Sequence, residues 1–340
     1  MNEVIIGTRG SVLALWQANF IKDKLSTFGI DSHIKIIKTT GDKILDAPLA
    51  KIGGKGLFTK ELEEQILSDK ITLAVHSLKD VPVLLPNDLT IAAITKREDE
   101  RDCFLSHKFS DIKSLPHNAR VGTTSLRRAM QLKYMRNDLQ TLNLRGNVQT
   151  RLEKLKNGEF DAIILAKAAL NRLNIQSDSI AFIKTLDFMI PAFGQGALGI
   201  ECKENCEILD VLERLNDTKT QIECEAEREF VRLCNGGCQV PIGVNAKLSD
   251  NILQITAILG LPNGAKILKE SISGDISQQN LAKFPNEIPL KHNKSEILSK
   301  DAIPLINAKN LAQHLYKSLE SQGAKDLLDE ALKMIEDYFG

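Results

Sequence analysis

Apolar residues in this chain come in short runs that open into glycine- and hydroxyl-rich turns, and several of these turns are followed by helical spacing. Val4–Ile6 reads as a buried strand, Gly7-Thr8-Arg9-Gly10-Ser11 as a turn, and the next segment as a helix with Val12, Leu15, Trp16 and Phe20 on one face. The pattern returns near 120: Arg120-Val121 ends a strand, Gly122-Thr123-Thr124-Ser125 turns, and a helix opens at Leu126-Arg127-Arg128. Ile71–Ala74 and Ala162–Leu165 are further strand-like runs that lead into polar residues. Asn286–Pro304 reads as a solvated loop, and one closing helix is predicted to contain Leu311, Leu315 and Leu327 to Ile335. The layout predicts two α/β lobes with a cleft between them and a smaller α+β piece, divided near 95 and 195. Open α/β sheets bind ligands where strand ends meet loops.

Composition narrows the class. The 340 residues are 43% hydrophobic, enough for two or three cores, and 44 Lys plus Arg balance 44 Asp plus Glu. No overall charge draws the chain to nucleic acid or a membrane, so any anion site has to come from local clustering. The start lacks a basic segment and a long apolar run, and no later stretch is apolar enough to span a bilayer, so a cytoplasmic location is expected. Six cysteines without a secretion signal are expected to be reduced. Cys202/Cys206 and Cys234/Cys238 share a Cys-x3-Cys spacing that zinc sites use, but no histidine lies near either pair.

Arginines cluster in the turns. Arg127 and Arg128 fall in the first turn of a helix, where the dipole disfavours a cation by roughly 0.3–1 kcal/mol, so an anion is expected there. The hydroxyls of Thr123, Thr124 and Ser125, the helix amides and two guanidinium forks suit carboxylates or phosphates. Arg9 and Ser11 form a similar, weaker site. Leu144-Arg145-Gly146-Asn147-Val148-Gln149-Thr150-Arg151 adds two guanidiniums and a glycine that permits close approach, and Arg172 extends the set. Taken singly, each stretch also reads as a solvated helix face; together they suggest a polyanion along the cleft. Both common nucleotide-binding glycine motifs are missing from these loops. Asp42–Phe58, with Lys51 and Lys55, reads as a loop that suits a mobile lid. Ala74–Pro82 places Lys79 and Asp80 at a strand end, where a carboxylate facing a cleft can stabilise a developing cation. A solvated Lys-Asp pair is the alternative, and His76 reads as a packed strand residue.

The segment Asn-Gly-Gly-Cys-Gln-Val-Pro-Ile-Gly at 235–243 presents Cys238 between residues that bend the chain sharply and hold it. A buried free cysteine in a turn is the plain reading of such a loop alone. The segment resembles the cofactor-anchoring loop of the porphobilinogen deaminase (hydroxymethylbilane synthase) family. Ordered matches at Thr8–Gln17, Gly53–Glu61, Ala74–Pro82, Val121–Arg128, Leu144–Leu152, Asp161–Leu173, Pro191–Glu201 and Glu227–Gly243 extend the resemblance over most of the chain.

That resemblance implies two periplasmic-binding-protein-like α/β domains with an interdomain cleft and a smaller α+β C-terminal domain, at 1–95 with 196–213, 96–195 and 214–340. It implies a transferase of tetrapyrrole (haem) biosynthesis that condenses four porphobilinogen molecules, releasing ammonia, to the linear tetrapyrrole hydroxymethylbilane. The expected cofactor is a dipyrromethane bound covalently through Cys238. Asp80 is the implied catalytic carboxylate. Ser77, Lys79, Ser125, Arg127, Arg128, Arg145 and Gly146 are implied for the cofactor, and Arg9, Ser11, Gln17, Lys55, Arg151 and Arg172 for the substrate. No metal, nucleic acid or membrane partner is implied, and a monomer is expected. Ala169 departs from the glycine usual before Leu170, and the chain after about 284 is longer than in compact bacterial members. A two-lobed carboxylate-binding protein would share the arginine-lined cleft but has no use for Cys238; a zinc-stabilised interaction protein would not need the arginines.

Overall fold

The computed structural model describes residues 3–43, 56–176, 180–235, 240–277 and 302–339. In chain order the first lobe contributes β1 (Val4–Thr8), α1 (Val12–Thr27), β2 (Ser32–Ile36), a helical turn at Thr40–Lys43, α2 (Lys60–Leu67), β3 (Leu73–Ser77), a 3-10 turn at Leu78–Asp80, and β4 (Leu89–Ile94). The second lobe follows with β5 (Asp102–Ser106), β6 (Arg120–Gly122), α3 (Leu126–Met135), β7 (Gln140–Leu142), α4 (Val148–Lys156), β8 (Ala162–Ala166), α5 (Lys167–Arg172) and β9 (Phe182–Leu186). Next come β10 (Leu198–Lys203) and α6 (Leu209–Glu213). The remaining elements are α7 (Thr218–Leu233), β11 (Ile242–Ser249), β12 (Ile252–Gly260), β13 (Ile267–Asp275), α8 (Ala302–Ser321) and α9 (Ala324–Phe339).

The two five-stranded sheets have the same plan. In one the order is β2-β1-β3-β10-β4, in the other β7-β6-β8-β5-β9. In each, three parallel strands are followed by an antiparallel one, β10 in the first and β5 in the second. That antiparallel strand follows a crossing from the other lobe: β5 enters after β4, and β10 returns after β9. Two chain crossings therefore join the lobes, and the cleft lies beside them.

The inner strands β1, β3, β5, β8 and β10 are mostly apolar and buried, as sheets covered on both sides require, while the edge strands β7 and β9 are mostly exposed or half-buried. Helix α1 starts where Ser11 Oγ accepts from the Ala14 amide at 3.2 Å. Its core face is Ala14, Gln17, Ala18, Ile21 and Leu25, beside the face that carries Val12, Leu15, Trp16 and Phe20. Val12 is 51% exposed, and Leu15, Trp16 and Phe20 are only half-buried. Trp16 stacks on Phe20 at 5.5 Å, and the Arg172 guanidinium from the second lobe lies over Trp16. Trp16 thus meets the opposite lobe, Phe20 packs at the edge of the first lobe's core, and Ala18, Ile21 and Leu25 lie in that core.

The antiparallel sheet β11-β12-β13 shares a core with α7, α8 and α9, centred on Phe230, Leu253, Ile255, Leu259, Leu315 and Leu319. The predicted closing helix is two helices, broken at Gln322-Gly323, where Gly323 adopts φ +91. The first begins at Ala302, so Ala302–Pro304 are helical instead of loop; Pro304 falls in a first turn, whose amides have no intrahelical partner to lose. Residues 286–301 of the expected loop lie outside the described residues. Among the described residues no helix is long and apolar enough to cross a membrane.

Candidate active site

Strand β3 delivers the acid. Leu78 is fully buried, its amide donates to Ala197 O at 3.0 Å, and its side chain fills the space that β-carbons at Gly194 and Gly199 would occupy. Anchoring Leu78 in this way places Ser77, Lys79 and Asp80 on the cleft wall. Gln17 Nε2 donates to Ser77 Oγ at 2.8 Å and is itself buried, so it fixes Ser77 from behind instead of lining the cleft.

The second lobe's turns supply cations. Gly146 adopts φ +108, and a β-carbon there would lie 2.8 Å from Thr150, so the Arg145-Gly146-Asn147 corner needs glycine. Asn147 caps α4 by accepting from the Thr150 amide, and Arg151 Nε donates back to Gly146 O at 2.8 Å. Arg172 Nη2 reaches Gly196 O at 2.6 Å. From the first lobe, Arg9 pairs with Asp42 and lies 4.2 Å from the Phe58 ring centre.

The cleft has a volume of about 730 Å³, and its described walls carry seven cations (Arg9, Lys38, Lys79, Arg128, Arg145, Arg151, Arg172) against two carboxylates, Asp42 and Asp80. The cations are under electrostatic stress. Burial pulls the Arg151 pKa down to about 10, helped by repulsion from Arg128 and Arg145 and only partly opposed by Asp80. Burial also lowers Arg172 to about 10 against the pull of Glu98, and burial with Arg9 lowers Arg145. Lys79 is brought to about 8 by burial, with Asp80 raising it and Arg128 lowering it. A bound polyanion would relieve all four.

Arg127, Arg128 and the nearby hydroxyls occupy a different setting from the expected one. The anion demanded by the helix start is Asp102, fully buried at the head of β5. Its Oδ2 accepts from Arg127 Nη1 at 2.7 Å and its Oδ1 from Arg128 Nη2 at 2.7 Å. Burial alone would raise the Asp102 pKa; the two arginines hold it far below the usual carboxylate range. Arg127 also donates to Ile190 O at 2.7 Å and is not on the cleft wall, whereas Arg128 is. Ser125 caps α3 through the Arg128 amide, Thr123 Oγ1 accepts from the Ser125 amide, and Thr124 Oγ1 donates to Leu144 O. These hydroxyls serve backbone groups and Ser125 does not line the cleft. Cys238 and Lys55, with most of the expected lid, lie outside the described residues.

Sequence reasoning missed Asp102 and Gln195. A lone acid leading the apolar run Cys103-Phe104-Leu105 was the available signal for the first, and a glutamine between Gly194 and Gly196, both at positive φ, for the second. His76, expected to be packed, is buried against Glu201 at 2.9 Å. Ala169, the departure from glycine, lines the cleft.

Two tests follow from this arrangement. Arg127→Leu is expected to lower unfolding free energy by about 3 kcal/mol in urea denaturation, because it strips one partner from a buried ion cluster. An unchanged midpoint would mean that Arg128 alone satisfies Asp102. Separately, the depressed Lys79 means that the folded chain binds fewer protons than the unfolded chain between pH 8 and 10.5. Cofactor-free protein should therefore gain stability as pH rises through that window, and Lys79→Met should flatten the gain.

Two α/β lobes closing on a cleft rich in cations, with one acid at a strand end, define a polyanion-binding α/β protein. Family comparison makes the class specific. A model described as "Porphobilinogen deaminase, dipyromethane cofactor binding domain" matches residues 4–210, and "Porphobilinogen deaminase, C-terminal domain" matches 221–288. A porphobilinogen deaminase of Helicobacter hepaticus is 53% identical over 98% of this chain and 96% of its own length. Those of Helicobacter acinonychis and Campylobacter hominis are 58% and 50% identical over 81% and 90% of this chain, and 90% and 98% of their own lengths. The chain belongs to the porphobilinogen deaminase family. Among solved structures, the Bordetella pertussis BvgS periplasmic VFT2 domain overlays 62% of this chain and 86% of its own at TM-score 0.39 and 12% identity, a distant likeness from which no function follows. Helices α8 and α9 lie beyond the matched C-terminal region, and they complete the core of the third sheet.

Proposed function

We propose that the interlobe cleft is the active site of a porphobilinogen deaminase, with Asp80 as its catalytic carboxylate and Cys238 as the attachment point of its dipyrromethane. The enzyme is a transferase of tetrapyrrole biosynthesis: it condenses four porphobilinogen molecules, with loss of ammonia, to hydroxymethylbilane. The single observation that carries the site assignment is the crowd of stressed cations around one strand-end acid.

Those residues fit a dipyrromethane. Two linked porphobilinogen units bring four carboxylates, and Lys79, Arg145, Arg151 and Arg172, whose charged forms burial disfavours, gain from pairing with them, beside Arg128 on the same wall. When bound, the cofactor supplies the primer on which the chain grows. Ser77, Lys79, Arg128, Arg145 and the Gly146 corner would hold it, while Arg9, Ser11, Arg151 and Arg172 hold incoming acetate and propionate groups. Gln17 acts through Ser77. Arg127 and Ser125, also expected at the cofactor, hold the arginine helix in place from beside the cleft wall. Asp80, beside Lys79, stabilises positive charge that develops on the reacting pyrroles. A monomer is the working unit in this reading. The same reading divides the chain into 1–95 with 196–213, 96–195 and 214–340.

The test is hydroxymethylbilane formation from porphobilinogen, with intact mass measured on the same sample. Product together with a dipyrromethane adduct is the expected result; active enzyme at the bare chain mass would overturn the attachment. Arg145→Leu and Arg151→Leu are expected to lower kcat/KM or cofactor loading by about 10–100-fold, the loss of one charge-assisted hydrogen bond. Lysine at either position should rescue poorly, since it lacks the planar fork. Wild-type turnover in both would leave these arginines as bystanders.

A further inference from the structure

We propose that Gln195 is a positioning residue, whose carboxamide ties the acid-bearing strand end of the first lobe to the arginine pair of the second and couples both to the cysteine-bearing domain. Gln195 is 1% exposed yet lies at the cleft wall, in the crossing segment from β9 to β10. Its Oε1 accepts from Lys79 Nζ at 3.2 Å; its Nε2 donates to Asp102 Oδ1 at 3.0 Å and to Glu100 O at 2.6 Å. One planar group thus meets an ammonium on one side and a carboxylate with a carbonyl on the other. Only a carboxamide offers an acceptor and two donors in that arrangement. A glutamate would set a second carboxylate against Asp102, and a cationic side chain would face Lys79.

The backbone around it is held as tightly. Gly194 and Gly196 adopt φ +59 and +97, and a β-carbon at Gly196 would stand 2.3 Å from Glu98 O. Gln195 O accepts from Arg97 Nε at 2.9 Å, and Arg97 makes a two-pronged pair with Glu227 at 2.7 and 3.1 Å. Glu227, fully buried on α7, also accepts from the Gly194 amide at 2.7 Å and the Ala246 amide of β11 at 2.9 Å. Helix α7 leads directly into the segment that carries Cys238. A shift of that domain therefore reaches Lys79, and the Asp102–Arg127–Arg128 cluster, through Glu227, Arg97 and Gln195.

The inference rests on reading the Lys79-Asp80 turn as the reacting end of the cleft. It is tested with Gln195→Met, close in length, and Gln195→Glu. In cofactor-loaded enzyme Gln195→Met is expected to lower kcat by about 10–100-fold, the scale of a small misplacement of reacting groups. KM should stay within about threefold and the dipyrromethane should remain attached. In cofactor-free protein, acetic anhydride labelling of Lys79 is followed against pH by peptide mass. Its midpoint, near 8 in the wild type, should fall in Gln195→Met, which removes an acceptor, and rise in Gln195→Glu, which adds a carboxylate to Asp80 and Asp102 opposite Arg127 and Arg128. Equal midpoints in all three proteins, or wild-type kcat per loaded enzyme, would overturn the proposal. So would a raised KM at unchanged kcat, which would make Gln195 a ligand-binding residue. If Asp80 is not catalytic, Asp80→Ala keeps its turnover while the labelling shifts persist, so the two readings fail separately.

Discussion

Replacing Asp80 by Ala is expected to lower kcat by about 10²–10³-fold, the range for removing one preorganised group that stabilises transition-state charge. KM and cofactor attachment should change little. Asp80 lies beside Lys79 and faces Arg151, so it is the carboxylate at the cation-rich end of the cleft; Asp42, the other acid on the wall, is committed to Arg9 and Thr39. Pyrrole rings that become cationic among guanidiniums need one anion nearby, and an interaction made mainly in the transition state shows in kcat when it is lost. Asp80→Glu should keep part of the activity if charge matters more than position. The measurement is hydroxymethylbilane formation over a range of porphobilinogen concentrations. A normal kcat with a raised KM in the Ala variant would make Asp80 a binding residue.

Cys238→Ala is expected to abolish turnover, by more than about 1000-fold, because a tethered primer reacts at effective concentrations that a free one never reaches. Folding should be nearly unaffected, since the replaced thiol sits among glycines. The other cysteines are poor substitutes. Burial raises the thiols of Cys103, Cys224 and Cys234, the last to about 12, so thiolate is scarce at all three. Cys206 is lowered to about 6 by a hydrogen bond from Cys202, but Cys202 lies at the far end of β10 from the cleft. Its register partner is Leu73, whereas Leu198 pairs with Ser77, about 13 Å away at the rise of a strand. Peptide mapping of the adduct checks the assignment: dipyrromethane on Cys234 or Cys206, or full activity in Cys238→Ala, would defeat it.

The linear order of residues settles more about this protein than is usual. Apolar runs ending in Gly-Thr-Arg and Gly-Thr-Thr-Ser turns announce two α/β lobes, because strands covered on both faces must be apolar and their ends must turn. The arginine turns and the Lys79-Asp80 strand end are legible for a similar reason: a charge next to a buried run is costly unless it is used. The resemblance carried by the Cys238 loop adds the chemistry. What each charge is used for, however, depends on partners far away in the chain. Arg127 and Arg128 look alike in sequence, yet Arg127 is bound to Asp102 and Ile190 outside the cleft wall while Arg128 lines it. Asp102 is more than twenty residues from either arginine, and no local pattern pairs them. Periodicity places Val12, Leu15, Trp16 and Phe20 on one face of α1 but does not say what that face meets: the space under the sheet admits Ala14, Ala18, Ile21 and Leu25, and Trp16 meets Arg172 of the other lobe. Gln195 is invisible to periodicity, since its role exists only where two lobes and a third domain meet; that meeting is a property of tertiary packing alone.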